Sequence, residues 1–271
     1  MKNVVAIIAL VAVSAIAQEE VVQSGTPARL EAVNGKQVRV FLQSLVDGTV
    51  TFQAFKSDKN IPVPADKIRR FEFYPKYDAA ALEQSFNSAD YDAVLATLEP
   101  LMLDYAPYMT VSNNMQDAYC MMMEAYRAQG DFAKVRVCAE ALAQSSGPKF
   151  VMLGQVNTAL AAIAEGDFKA VESLREEIES EAASLYLQAS AERAQGQPKV
   201  AMQTVVEIIA EHANDVQWMA PSELLSAELY LDMAMTNSAV STARQVKNIY
   251  GGSNIAADAN KLYIALGGES E

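Results

Sequence analysis

The only histidine in this 271-residue chain is His212, so any Ser/His/Asp or Cys/His machinery would have to pass through it. It stands in Glu211-His212-Ala213-Asn214, and the chain contains no G-x-S-x-G nucleophile elbow. With no partner constellation, its expected place is a helix end, where a cationic side chain meets the negative pole of the helix dipole. The two cysteines are more suggestive: Cys120 lies ten residues before Gly130 and Cys138 eight residues after it. If Gly130 joins an antiparallel helix pair, the thiols sit at similar height, given about 1.5 Å of rise per residue. A bridge needs Cα atoms within about 7 Å, while helix axes run roughly 8–10 Å apart, so both side chains would have to face the seam. Two arrangements stay open: an intra-repeat disulfide between Cys120 and Cys138, and a pair of buried free thiols.

Other groups point to solvation or packing. Glu176, Glu177, Glu179 and Glu181 crowd into six residues. On a helix they would point to different sides, which suits a solvated face better than a cation site. Met121-Met122-Met123 beside Cys120 is expected to pack against Tyr119 and Tyr126, methionine being adaptable in irregular cores. Trp218 and Pro221 are expected to mark a connection between helices, with Trp218 in the core. No Gly-rich phosphate loop and no ligand-spaced His/Cys cluster occurs. The expectation is a protein with no catalytic residues, no metal and no cofactor.

The formal charge is −13, from 21 basic and 34 acidic residues. That argues against nucleic acid as a partner, because phosphate binding needs clustered Lys and Arg. Hydrophobic residues make up 51%, enough for a packed core. The N-terminus has the form of an export signal: Lys2, an apolar run from Val4 to Ile16 broken only by Ser14, then Ala15-Ile16-Ala17. The run is too short for a spanning helix, which needs about 20 residues. Cleavage is expected after Ala17, giving a periplasmic or secreted protein in an oxidising compartment, with no transmembrane segment after cleavage. Residues 18–26 would then be a linker.

Charge divides the remainder. From Pro27 to Lys76 nine basic residues face five acidic ones, a balance of +4. From Tyr77 onward eleven basic residues face 27 acidic ones, a balance of −16. The shift marks a boundary near Tyr74-Pro75. Residues 27–74 have strand periodicity: Val38, Val40 and Leu42 alternate with polar neighbours, as do Val50, Phe52 and Ala54. Asn34-Gly35 and Asp47-Gly48 are hairpin signals of the type I′ kind, and Ser57–Asn60 is a third turn. Pro62 and Pro64 confine their strand to an edge. Lys67, Arg69, Arg70 and Lys76 form either a basic docking patch or an edge strand guarded by charge. Short strands in this order resemble the SLA1-homology-1 type of SH3-like domain, which implies a small SH3-like or Sm-like barrel acting as a peptide-binding or adaptor module.

Residues 77–266 change to helical period, and a short motif recurs. Its copies are Ala89-Asp90-Tyr91, Gly130-Asp131-Phe132 and Gly166-Asp167-Phe168, then a weaker Gly196-Gln197-Pro198 and a fifth candidate at Met235-Thr236-Asn237. The starts are 41, 36, 30 and 39 residues apart. Intervals of this size mark a helix-turn-helix array. Gly supplies the left-handed residue that ends one helix, Asp caps the next, and Tyr or Phe packs back onto the first. Together with Ala125-Tyr126-Arg127-Ala128-Gln129 and the small residues Ala159 and Ala189, the motif resembles the tetratricopeptide repeat family. Met123 and Pro198 depart from its pattern. The resemblance implies a fold that is mixed but mainly α: a helical-hairpin solenoid with a small N-terminal β-barrel, and a short tail at 267–271. The function it implies is an exported, non-enzymatic scaffold or adaptor that binds a protein or peptide partner through the repeat surface. A structural cell-envelope protein, whose β module docks on a cell-wall or outer-membrane component, is the alternative.

Overall fold

The computed structural model describes residues 24–145 and 147–269. The expected signal segment 1–17, linker residues 18–23 and the last two residues of the tail lie outside the described residues. Within them the chain is mainly helical, with one small antiparallel sheet. It divides into two compact units, one ending at Arg69 and the other starting at Arg70.

Strands β1 (Thr26–Ala32), β2 (Gln37–Val46), β3 (Thr49–Ala54), β4 (Asn60–Pro64) and β5 (Ile68–Phe73) form a five-stranded sheet of order β4-β3-β2-β1-β5. The alternation read from sequence sets its faces: Ala28, Leu30, Val40, Leu42, Val50 and Phe52 are buried while their neighbours are more exposed. Asp47 (φ +47°) and Gly48 (φ +69°) make the expected two-residue turn between β2 and β3. The β1–β2 connection differs from expectation. Only Gly35 takes a positive φ (+82°), and Ala32 N–H donates to Lys36 O at 2.9 Å. That geometry is a three-residue loop with a left-handed glycine at its end, not a type I′ turn. Pro62 and Pro64 lie exposed on β4, which is an edge strand, so their missing N–H groups cost no ladder bond. The register of β2 on β3 shifts between Leu42 and Ser44, and a one-turn 3-10 helix (Ala65–Lys67) precedes β5.

The division between units falls inside β5, before the expected boundary at Tyr74-Pro75. Its cause is the second unit's hold on the end of this strand. Phe71 N–H donates to Ser112 O and Phe73 N–H to the Asn114 side chain, each at 2.8 Å. The Phe71 and Phe73 rings stack among Tyr105 and Tyr108, with centroids 4.8 to 6.0 Å apart. Such aromatic contacts tie the end of β5 to the residues that follow α2.

The second unit contains α1 (Ala79–Asn87), α2 (Tyr91–Tyr105), α3 (Gln116–Ala128), α4 (Phe132–Ala143), α5 (Pro148–Glu165), α6 (Phe168–Glu176), α7 (Glu181–Ala194), α8 (Pro198–Glu211), α9 (Val216–Asp232), α10 (Thr236–Ile249) and α11 (Asn254–Ala265). Each packs on the next; α5 also touches α7, α7 touches α9, and α9 touches α11. The helices α5, α7, α9 and α11 thus form a continuous row. The last helix, α11, returns to α1.

The turn motif has one geometry throughout. Ala89, Gly130, Gly166, Gly196 and Ala234 have φ between +53° and +78°. At each turn the next residue's N–H donates to the carbonyl five positions back, in the order Ser85, Tyr126, Ala162, Glu192 and Tyr230. The left-handed residue's own N–H donates three positions back. These paired bonds are the Schellman closure of a helix. The fifth copy is therefore centred on Ala234, one residue earlier than the motif suggested. A further copy follows α11, where Gly267 has φ +94° and Gly268 N–H donates to Tyr263 O.

Candidate ligand cavity

The first helix of each motif is held in register by its turn, and the seam is built from small residues. Ala139, Ala159, Ala189, Ala201 and Ala239 have no exposed surface. At Gly154 a Cβ would lie 2.4 Å from Ala143 N and 2.6 Å from Ala139 O, so α4 and α5 meet almost backbone to backbone. The caps are as the motif implies for three copies. Asp90, Asp131 and Asp167 accept from the N–H groups of Ala93, Lys134 and Ala170 at 3.1 to 3.2 Å. Gln197 and Met235 provide no side-chain cap. Tyr91 packs back on Phe86 as expected, with ring centroids 6.3 Å apart; Phe168 packs beside Ala162 and Val171, and Phe132 is half-buried.

These constraints leave a cavity of about 740 Å³ inside the helical unit. Phe86 of α1 and Tyr91 of α2 contribute to its wall, but most of it comes from stripes on odd-numbered helices. The α3 stripe includes Cys120, Met121, Glu124 and Arg127; α5 gives Leu153, Asn157 and Leu160; α9 gives Trp218, Leu224 and Glu228; and α11 gives Asp258 and Lys261. Tyr186 of α7 lies against Trp218, with ring centroids 5.4 Å apart. The volume is within the range of ordinary ligand sites, and the mix of apolar wall with a few polar groups is typical of them.

Charged groups on this wall are paired. Arg127 grips both oxygens of Glu124, and that carboxylate raises the guanidinium pKa further. Arg193 joins Glu228 Oε2 to Asp232. Burial raises the Glu228 pKa, and Arg193 opposes the rise. Tyr91 OH donates to Asp258 Oδ2 at 2.7 Å; burial first, then this carboxylate, pushes the phenol pKa up. Lys261 Nζ donates to Ala89 O at 2.9 Å and to Asp258 Oδ1 at 3.2 Å, and lies 5.1 Å from the centre of the Tyr91 ring. These contacts lock α11 to the α1–α2 turn. Of the four buried side-chain atoms without a hydrogen-bond partner among the described residues, the one on this wall belongs to Asn157. Asn157 is 5% exposed, its Nδ2 donates to Leu153 O, and its Oδ1 has no hydrogen-bond partner.

Cys120 and Cys138 are both free thiols, so the bonded arrangement is not the one present. Cys120 lines the cavity and Cys138 is buried beside Tyr119; burial lifts their pKa values to about 12 and about 11. Such thiols stay protonated at neutral pH and are poor nucleophiles. Met122 and Met123 are buried, as expected, while Met121 is half-buried on the cavity wall. His212 is the C-cap of α8, 3.9 Å from Glu181. The four glutamates do not share a helix: α6 stops at Glu176 and α7 starts at Glu181, after a cap at Ser180. Trp218 is buried as expected, but Pro221 lies inside α9 and not between helices. Ala220, Ser222 and Leu225 around it are buried. In the first unit Lys67 pairs with Asp66 at 2.9 Å, and Arg69 with Glu31 at 3.0 Å, so both are already engaged. Arg70 and Lys76 are exposed in the second unit.

Motif spacing alone did not single out the cavity wall, but a signal for it exists. Aligned on the left-handed turn residue, Glu124, Leu160, Glu228 and Lys261 all stand six positions upstream. Met121, Asn157, Leu225 and Asp258 stand nine positions upstream. Among the described residues no group of three or more His, Cys, Asp and Glu has metal-site geometry, and no helix is long and apolar enough to cross a membrane. No family model, curated protein or solved structure matches this chain.

Proposed function

We propose that this chain is an exported, non-enzymatic adaptor whose helical unit is a tetratricopeptide-like solenoid and binds a peptide segment of a partner protein. The cavity carries this reading. Equivalent positions of α3, α5, α9 and α11 face one space, so the repeat itself generates a binding wall. The five equal turns and the row of contacts through α5, α7, α9 and α11 support the solenoid assignment. The sheet order, the shifted β2 register and the 3-10 turn before β5 support an SH3-like barrel for the N-terminal module. Internal pairing of Lys67 and Arg69 gives the envelope-docking alternative no added support.

Trp218 is the only tryptophan and lies on the cavity wall, so its fluorescence reports occupancy. The test is selection of short peptides from an unbiased library against the full chain. Selected peptides should quench or shift Trp218 emission saturably, and Leu224→Arg should abolish the effect while leaving the helical dichroism intact. Selected peptides that bind without perturbing Trp218, or a selection that yields none, would refute the proposal.

A further inference from the structure

Three independent features of the cavity bear on the chemistry of its occupant. The first is charge: Asp117, Glu124, Glu228 and Asp258 outnumber Arg127 and Lys261 on the wall. Both oxygens of Glu124 and of Asp258 are already bonded. Glu228 gives Arg193 only its Oε2, which leaves Oε1 for an incoming donor. The second is the buried Asn157 Oδ1, which accepts nothing from the protein. Its partner atom Nδ2 is tied to Leu153 O, so the amide is oriented with the acceptor spare. The third is aromatic: Tyr186 and Trp218 also line the cavity, their ring centroids 5.4 Å apart, and aromatic rings attract cations.

We infer that the occupant is a basic peptide segment, with a lysine or arginine directed to Glu228 Oε1 past the Tyr186 and Trp218 rings and a backbone N–H given to Asn157 Oδ1. The inference rests on the cavity being the peptide site proposed above. The reach is consistent with a peptide. Trp218 and Glu228 are ten residues apart on α9, about 15 Å of helix. An extended chain covers that in about four to five residues. The wall's own cations make their hydrogen bonds elsewhere, Arg127 to Glu124 and Lys261 to Asp258 and Ala89, although the Arg127 charge is also felt at Glu228. Burial raises the Glu228 pKa, while the charges of Arg193 and Arg127 act to lower it.

The probes are acetylated, amidated five-residue peptides that alternate leucine with lysine, glutamine or glutamate, with spermidine as a free polyamine. Each is titrated into the full chain while Trp218 emission is followed. The lysine peptide should bind roughly tenfold tighter than the glutamine peptide, and the glutamate peptide weakest, as expected for a desolvated charge pair. Glu228→Gln keeps a hydrogen-bond acceptor for Arg193 and should erase most of the lysine preference. Asn157→Leu should weaken the lysine and glutamine peptides alike. If a variant fails to fold, the unmodified chain still decides the matter, because the lysine preference should shrink from low to high salt. Equal binding of the lysine and glutamine peptides overturns the inference, as does a salt-independent preference or spermidine binding as tightly as the lysine peptide. If library-selected peptides perturb Trp218 while the lysine peptide does not, peptide binding stands and its basic character falls.

Discussion

Replacing Gly166 by alanine and Ala234 by glycine should move stability in opposite directions, although the two residues close the same kind of turn. Both have left-handed backbones, φ +78° and +60°, and the same pair of closing hydrogen bonds. A Cβ at Gly166 would meet nothing within 4 Å, so Gly166→Ala introduces no clash and isolates the conformational cost. That cost is about 1–2 kcal/mol for an L-residue in the left-handed region. Alanine also restricts the unfolded chain, which returns about 0.4–1 kcal/mol. The net loss is about 0.5–1 kcal/mol, or roughly 1–4 °C in Tm for a unit of this size. Ala234 is exposed, so Ala234→Gly should gain a similar amount. Ala89 is the informative control: it is 5% exposed, and losing its buried methyl costs about 0.8 kcal/mol, so Ala89→Gly should be nearly neutral. Thermal melts followed by circular dichroism measure all three. A Tm that falls for Ala234→Gly, or is unchanged for Gly166→Ala, would refute the turn argument.

Further outcomes follow from the caps, the α11 lock, one carboxylate and the thiols. Asp167→Ala should cost about 1 kcal/mol in a denaturant titration, as expected for a lost cap, whereas Gln197→Ala should cost less because Gln197 makes no cap bond. Tyr91→Phe removes the hydroxyl bonded to Asp258 and should speed amide exchange in α11 more than in α8; equal exchange would mean that α11 is held by packing alone. Tyr126, and then Lys134, lower the Glu99 pKa below its ordinary value of 4.5. The stability this gives is present above 4.5 and is lost as pH falls through the lowered value, so the difference between wild type and Glu99→Gln should narrow over that window. Alkylation without reductant should label neither thiol quickly in the folded chain and both after denaturation; failure to label either in denaturant would mean that Cys120 and Cys138 are bonded after all.

Sequence and structure agree best where a single residue type dictates backbone geometry. Asp47-Gly48 specifies its turn, Pro62 and Pro64 specify an edge, and Gly130, Gly166 and Gly196 specify helix ends, because few residues tolerate those conformations. Where alanine occupies the same position the cue must come from its neighbours: Asp90 and Tyr91 mark Ala89 as the turn residue, whereas Met235 and Thr236 give Ala234 no such mark. The change of charge near Tyr74 reports on solvation, and it gives no sign that Phe71 and Phe73 meet Tyr105 and Tyr108. Pro221 misled for a related reason, since packing around Trp218 and Leu225 carries α9 through a residue that usually breaks helices. The cavity wall stayed hidden because Asn157, Glu228 and Asp258 are brought together by register across α5, α9 and α11, and no short motif encodes that register.

The return of α11 to the start of the helical unit also bears on how such a chain can change length. In an open array each added or lost repeat alters only its own neighbours, so repeat number drifts freely. Here Tyr91 and Lys261 join the α1–α2 turn to α11, and both contacts depend on how the helices in between are stacked. Inserting or deleting one helical hairpin would carry Asp258 away from Tyr91 and open the cavity at the same stroke. A change in the number of helices between α2 and α11 would therefore be felt at the Tyr91–Asp258 contact as well as at the inserted or deleted helices.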